Sequence, residues 1–194
     1  MSALNRRAAI AQLLRGRDQA LVVTGLGSST YDVFAAGDSS LTFYLWGAMG
    51  GAALVGLGLA RAQPGRRVIV LTGDGEMLMG LGGLATIGVV QPSNLTVIVI
   101  DNGLYAETGM QRTHTAHGVD LAGIARSCGI AAAETVRSQA ELEGLVAKLY
   151  SAPGPLFAAV KVAPDPTPIE LAPRDGPYLR SRFREALLGP DANR

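Results

Sequence analysis

The chain has 194 residues, 48% of them hydrophobic and 17% charged, with a formal net charge of +1. That length buries one sizeable core, and the near balance of charge argues against a nucleic-acid partner held by bulk electrostatics. The lone cysteine, Cys128, excludes an internal disulfide and any four-cysteine metal or cluster site within this chain.

The N-terminal run MSALNRRAAIAQLLRGRDQ lacks the long apolar core of a secretory signal. It reads as a short amphipathic helix, and the cytoplasm is the expected compartment. ALVVTG (Ala20–Gly25) reads as a buried strand. The following Gly25 and Gly27 make a G-x-G, but Thr30 holds the third glycine position and no helical pattern follows at once. A lone G-x-G does not establish a dinucleotide site. The segment Ser39 to Ala60 is uncharged and as long as the roughly 20 residues a bilayer needs. It also carries a small-xxx-small pair, Gly47 and Gly51. Its many glycines and irregular polar start favour instead a strand, LTFYL, then a packed small-residue helix from Met49 to Arg61, so no membrane is expected. RVIVLTG is the next strand, and Glu76 to Val90 a helix stopped by QPSN. LTVIVID (Leu95–Asp101) is a strand, and Gly103 to Gly118 a loop, helical in part. Asp120 is the expected N-cap of a helix running to Cys128. AAAETV is a short strand, SQAELEGLVAKLYS a helix opened by the capping box Ser138 and Glu141, and PLFAAVKV the last strand.

Alternating strands and helices imply an α/β fold, three-layered α/β/α, around a mostly parallel sheet with right-handed crossovers. Residues 1–162 form the expected domain. Residues 163–194 form a proline-rich tail, APDPTPIELAPRDGP, and a C-terminal helix with Leu179, Phe183 and Leu187 on one stripe. That stripe either packs on its own domain or meets another subunit.

The segment VIVLTGDGEMLMG carries the chemistry. Ligands of open α/β sheets bind beyond the carboxyl ends of the strands, and Asp74 lies at such an end. Gly73 and Gly75 allow a tight turn and a close backbone approach. The helix that follows offers N–H groups to an anion. A divalent cation bridging Asp74 to a phosphate reconciles the carboxylate with the anion site. One strand–helix–strand crossover, about 30 residues, separates Asp74 from Asn102 and sets the two at neighbouring strand ends. A carboxylate, an amide oxygen and a nearby carbonyl make the hard oxygen half-shell that Mg²⁺ takes.

The run GDGEMLMGLGGLATIGVVQPSNLTVIVIDN resembles the thiamine diphosphate motif, GDG followed some 25 to 30 residues later by Asn. FYLWGAMGGAALVGLGLA, DNGLYAETGMQRTHT and VVTGLGSSTYDVF are similar to flanking segments of 2-oxoacid decarboxylases of the sulfopyruvate and phosphonopyruvate type. The similarity covers about Ala20 to Val162, the diphosphate-binding domain of those enzymes. It implies that Asp74, Asn102 and the Leu104 carbonyl bind Mg²⁺. It implies that Gly73, Gly75, Glu76 and the backbone around Tyr105 hold the diphosphate, with Gly25, Gly27 and Ser28 reaching it from the other side. Gly47, Ala48 and Met49 would receive the aminopyrimidine, and Met49 would be the apolar wedge that bends the cofactor. The chain departs from the pattern at Asp101, the first residue of the family's NN. It departs again at Met110, where these decarboxylases often have Gly, and it adds His114. His114 is a candidate proton shuttle or substrate-anion ligand, and His117 a lesser one.

Enzymes of this kind activate the cofactor with a glutamate on a separate pyrimidine-binding domain. Glu76, Glu107 and Glu134 stand in other motif contexts. The resemblance therefore implies a partner, an α-type pyrimidine-domain subunit that supplies the glutamate, in a hetero-oligomer of at least two copies of each chain. The implied activity is that of a lyase, releasing CO₂ from a small 2-oxoacid. The alternatives are a carboligating, acetolactate synthase-like subunit, a ferredoxin-linked oxidoreductase subunit, which the single cysteine disfavours, and a non-catalytic module that keeps the fold.

Overall fold

The computed structural model describes residues 3–164 and 167–193. Met1 and Ser2 of the N-terminal run, Asp165 and Pro166 of the tail, and Arg194 lie outside the described residues. In chain order the elements are α1 (Arg6–Leu14), β1 (Leu21–Thr24), α2 (Ser28–Ala35), β2 (Thr42–Tyr44), α3 (Ala52–Ala62) and β3 (Val68–Gly73). Then come α4 (Asp74–Met79), α5 (Gly83–Val90), β4 (Leu95–Asp101), β5 (Leu104–Tyr105) and β6 (Gln111–Arg112). The remainder are α6 (Leu121–Ser127), β7 (Ala132–Val136), α7 (Gln139–Leu149), β8 (Leu156–Lys161) and α8 (Gly176–Leu188).

Six strands make one sheet in the order β2-β1-β3-β4-β8-β7, with every neighbouring pair parallel. The strands can sit at the centre because they are apolar on both faces: every residue of β1 and β4 is buried. Alternate side chains feed two cores. Val22, Ile69 and Ile98 pack with Ile10 and Leu13 of α1 and with Leu142 and Leu145 of α7. Val23, Val70 and Val97 pack with Leu57 of α3 and with Leu84 and Ile87 of α5. Each such side chain, fully buried, contributes about 1.5–3 kcal/mol. Gly56 brings α3 directly onto β3; a Cβ there would lie 2.2 Å from Val70 Cγ2. The result is the three-layered α/β/α arrangement expected from the alternation.

From β1 the chain crosses to β2 on one side, and from β3 it crosses to β4 on the other. The carboxyl ends of β1 and β3 therefore bound the crevice where ligands of open sheets bind. Register sets its residues. Gly73 pairs with Ile100, which puts Asp74 level with Asp101 and one step from Asn102.

Four local expectations change. A helix, α2, does follow the G-x-G at once; its residues SSTYDVFA lack a clear helical stripe because five of them, polar ones included, are buried. The helix expected from Met49 starts at Ala52, because Ala48 (φ 53°) and Gly50 (φ 88°) hold left-handed backbone before it. The single helix expected over 76–90 is two, α4 and α5. At the break the backbones of Gly80 and Gly50 cross so closely that a Cβ on Gly80 would lie 1.9 Å from the Gly50 oxygen. The 103–118 loop holds the β5–β6 hairpin and two short 3₁₀ turns. Asp120 occupies the N-cap position of α6 without a side-chain cap bond. Ser138 and Glu141 do form the full capping box of α7.

The uncharged segment 39–60 is divided between β2 and α3, and among the described residues no helix is long and apolar enough to cross a membrane. The C-terminal helix α8 lies over the β2 edge. Leu179 enters the first core, Phe183 the second, and Leu187 packs on the second. Phe183 meets Phe43 edge-on at 5.6 Å between centroids, and Arg182 Nη1 donates to Asp38 Oδ2 at 2.6 Å.

Candidate active site

A cavity of about 100 Å³ opens at the carboxyl ends of β1, β3 and β4. Of the residues expected there, Gly27, Ser28, Met49, Gly73, Asp74 and Gly75 line it. Glu76, Asn102, Leu104 and Tyr105 line it too. Gly25, Gly47 and Ala48 do not. Gly25 faces the Glu76 carboxylate, and Gly47 and Ala48 are exposed on the loop before α3. Gly73 faces open space; a Cβ added there would meet no atom within 4 Å. Gly75 is closed on one side by the Tyr105 ring, 2.4 Å from where its Cβ would be.

Asp74 is the first residue of α4 and 2% exposed. Two hydroxyls converge on its Oδ2, Thr113 Oγ1 at short range and Thr115 Oγ1 at 3.1 Å. The Thr115 hydroxyl also lies 2.7 Å from Asp101 Oδ1, and Asp101 is paired in turn with Lys161. Burial raises the Asp74 carboxyl above the usual range. The Thr113 hydroxyl opposes that shift, and the charge of Asp101 adds to it. Asn102 Oδ1 accepts from the Leu104 backbone N–H at 2.9 Å, an Asx turn that fixes the amide oxygen at the rim. Among the described residues no cluster of three or more His, Cys, Asp or Glu is placed to hold a metal. The expected oxygen set differs in kind: one carboxylate, one amide oxygen and one carbonyl.

Glu76 is buried and reaches across to β1. Its Oε2 accepts from Thr72 Oγ1 at 2.7 Å and from the Leu26 N–H at 3.2 Å. Burial raises its carboxyl as well, against the lowering effect of the Thr72 hydroxyl and of backbone N–H groups. Glu76 Oε1 and Ser29 Oγ, both on residues lining the cavity, are buried without a hydrogen-bond partner. Met49 stands at the rim, 47% exposed.

His114 and His117 are exposed and outside the lining of the cavity. The structure brings in the residues on either side of His114 instead. Thr113, His114 and Thr115 alternate buried, exposed and buried, so the two threonines turn inward to Asp74. Arg6, Ser29 and Glu107 also line the cavity unforeseen. Arg6 lies on the buried side of α1, where a cation needs a buried partner, and that partner is Asp32 on α2.

The crevice, the open face of Gly73 and the strand-end residues Asp74 and Asn102 come together at one end of the sheet. The profile of the thiamine pyrophosphate enzymes, C-terminal TPP binding domain, matches residues 25–160, and the chain belongs to this family. It is 36% identical over 186 residues to the sulfopyruvate decarboxylase subunit beta of Methanothermobacter thermautotrophicus, covering 96% of this chain and 97% of that one. It is 39% identical to the phosphonopyruvate decarboxylase of Streptomyces viridochromogenes over 96% of its own length, but spans only 47% of that protein. Among solved structures, the thiamine diphosphate-dependent 4-hydroxybenzoylformate decarboxylase of Rhodococcus jostii RHA1 aligns with a TM-score of 0.67 at 19% identity, over 86% of this chain and 34% of that one. That likeness is one of fold.

Proposed function

We propose that this chain is the diphosphate-binding subunit of a two-subunit thiamine diphosphate-dependent 2-oxoacid decarboxylase. The observation that carries the reading is the register of β3 on β4, which puts Asp74 one step from Asn102, both lining one cavity whose wall at Gly73 is open. The residues present fit the group. The donors are hard oxygens suited to Mg²⁺, and one buried hydroxyl of the cavity lining, Ser29 Oγ, lacks a partner.

Asp74, Asn102 and the Leu104 carbonyl would hold Mg²⁺. Thr113 and Thr115 fix the carboxylate through Oδ2 and leave Oδ1 to the metal. Backbone groups of Gly73, Gly75, Gly27 and Ser28 would take the diphosphate. Glu76 would contribute there through its backbone only, since its carboxylate is engaged by Thr72 and Leu26 and would repel a phosphate. Met49 would press on the cofactor from the rim, with the pyrimidine near Gly47 and Ala48. When bound, the cofactor supplies the electron sink that makes loss of CO₂ from a 2-oxoacid feasible.

Three glutamates of this chain that the motif contexts set aside already have partners. Glu76 is held as described, Glu107 accepts from the Tyr31 hydroxyl at 3.2 Å, and Glu134 is paired with Lys148. We therefore assign the activating glutamate to a pyrimidine-domain partner subunit. The beta-subunit name of the Methanothermobacter relative, and the half-length match to the Streptomyces enzyme, support a divided protein. The test is to assemble this chain with the subunit encoded beside it, add Mg²⁺ and thiamine diphosphate, and measure CO₂ from 2-oxoacids. Turnover is expected from the complex and not from either chain alone. Asp74→Ala should abolish Mg²⁺-dependent cofactor binding, measured by calorimetry, without unfolding the chain. Full affinity in that variant contradicts the metal assignment.

A further inference from the structure

Beside the cofactor cavity lies a second and larger one, of about 510 Å³. That volume falls within the roughly 300–1,000 Å³ of small-molecule sites. The two share Arg6, Ser28, Asn102, Ala106 and Glu107 as walls, so a molecule in the second cavity sits against the site of chemistry. The rest of its described wall is largely apolar: Tyr31, Met110, Pro164, Pro168 and Ile169, with Thr167. Met110 holds φ 63°, in the left-handed region where an unbranched side chain is strained and glycine is not. Strain of this kind persists where surrounding structure enforces it, and it gathers at functional sites. Here it sets a thioether in the wall.

The cation of this wall is already paired. Arg6 is the one cation among the described lining residues, and its Nε is bound to the fully buried Asp32. Arg7 takes the other Asp32 oxygen at 2.9 Å and passes on to Glu170 at 3.0 Å. Glu107 adds a carboxylate to the same wall, with the Tyr31 hydroxyl donating to it. A second anionic group on the substrate would face the Glu107 carboxylate.

Resting on the decarboxylase reading above, we infer that the substrate is a 2-oxoacid with an uncharged apolar side chain, aryl or branched alkyl, which this second cavity receives. The C1–C2 bond breaks, CO₂ leaves, and a proton replaces it at C2, giving the aldehyde. This departs from the sulfonate and phosphonate acids named for the relatives.

The experiment uses the assembled two-subunit complex loaded with thiamine diphosphate and Mg²⁺. kcat/KM is measured for phenylpyruvate, 4-methyl-2-oxopentanoate, sulfopyruvate and phosphonopyruvate. The expected result is at least a 10-fold preference for one of the first two over both of the others. Met110→Gly should lower kcat/KM for the apolar acids about 5-fold or more with unchanged cofactor affinity, and Glu107→Gln should narrow the preference by helping the doubly charged acids. A preference for sulfopyruvate or phosphonopyruvate overturns this inference and leaves the decarboxylase reading standing. A complex that binds cofactor and releases CO₂ from none of the four overturns both.

Discussion

Replacing Gly25 with alanine would put a methyl carbon 1.6 Å from Glu76 Oε2, 2.2 Å from Cδ and 2.3 Å from Oε1. No small adjustment relieves such overlaps, so the carboxylate has to leave its place. It then loses the Thr72 hydroxyl at 2.7 Å and the Leu26 N–H at 3.2 Å. A hydrogen bond to a charged group contributes about 1.5–3 kcal/mol. Freeing a buried acid from an unfavourable site offsets part of that loss, and a net cost of about 3 kcal/mol is expected. In a domain of this size that lowers Tm by roughly 6–12 °C. Gly25 is not among the residues of positive φ, so the cost comes from the collision and not from backbone strain. The assay is thermal unfolding of the metal-free chain, followed by circular dichroism, for Gly25→Ala, Glu76→Ala and the double variant. With the carboxylate gone the methyl has room, and the Gly25→Ala penalty should fall below about 1 kcal/mol, a non-additivity expected of residues in contact. An equal penalty in both backgrounds would refute the reasoning, as would a Gly25→Ala chain that melts with the wild type.

Thr113→Val removes the close hydroxyl from Asp74 Oδ2. Loss of such an outer partner typically weakens a metal site about 10–100-fold. Mn²⁺ or Mg²⁺ titration of cofactor binding should show that loss in Thr113→Val and recovery in Thr113→Ser; equal affinity in all three proteins would separate the threonine from the metal site. The raised carboxyls of Asp74 and Glu76 fix the sign of a pH effect. The native state keeps these protons to higher pH than the unfolded chain does, so their share of stability is greatest in acid. It declines as pH rises from the ordinary values of 3.8 and 4.5 through the raised ones. Urea unfolding of the metal-free chain should accordingly show wild type losing stability relative to Glu76→Gln from pH 4 upward, and a gap that widens in favour of wild type would contradict the burial argument. Phe183, 8% exposed, anchors α8 to the second core. Phe183→Ala should cost about 3 kcal/mol in a denaturant titration; a change under 1 kcal/mol would mean that α8 is not held by this contact.

Much of the fold was legible because its signals are local. Runs such as VIVLTG and LTVIVID are too apolar and β-branched for any place but a doubly covered sheet. The capping box of α7 needs only residues three apart. The pairing of Asp74 with Asn102 was legible too, because one right-handed crossover has nearly fixed length and direction. The misplaced boundaries were not local. The break between α4 and α5, and the late start of α3, follow from two backbones that touch at Gly50 and Gly80, far apart in sequence.

By itself the sequence determined the class of fold and the two neighbouring strand ends at which Asp74 and Asn102 stand. Only the tertiary structure decided which residues surround them. His114 is turned outward while Thr113 and Thr115 grip Asp74, because the short 3₁₀ turn that begins at His114 takes its inside and outside from the buried neighbour it packs on. Gly25 makes room for Glu76, 51 positions later, and does not face the cavity. Arg6, at the start of the chain, meets Asp32 and the walls of two cavities because α1 and α2 pack on the same face of the sheet. Such contacts depend on how layers stack, and no spacing along the chain encodes them.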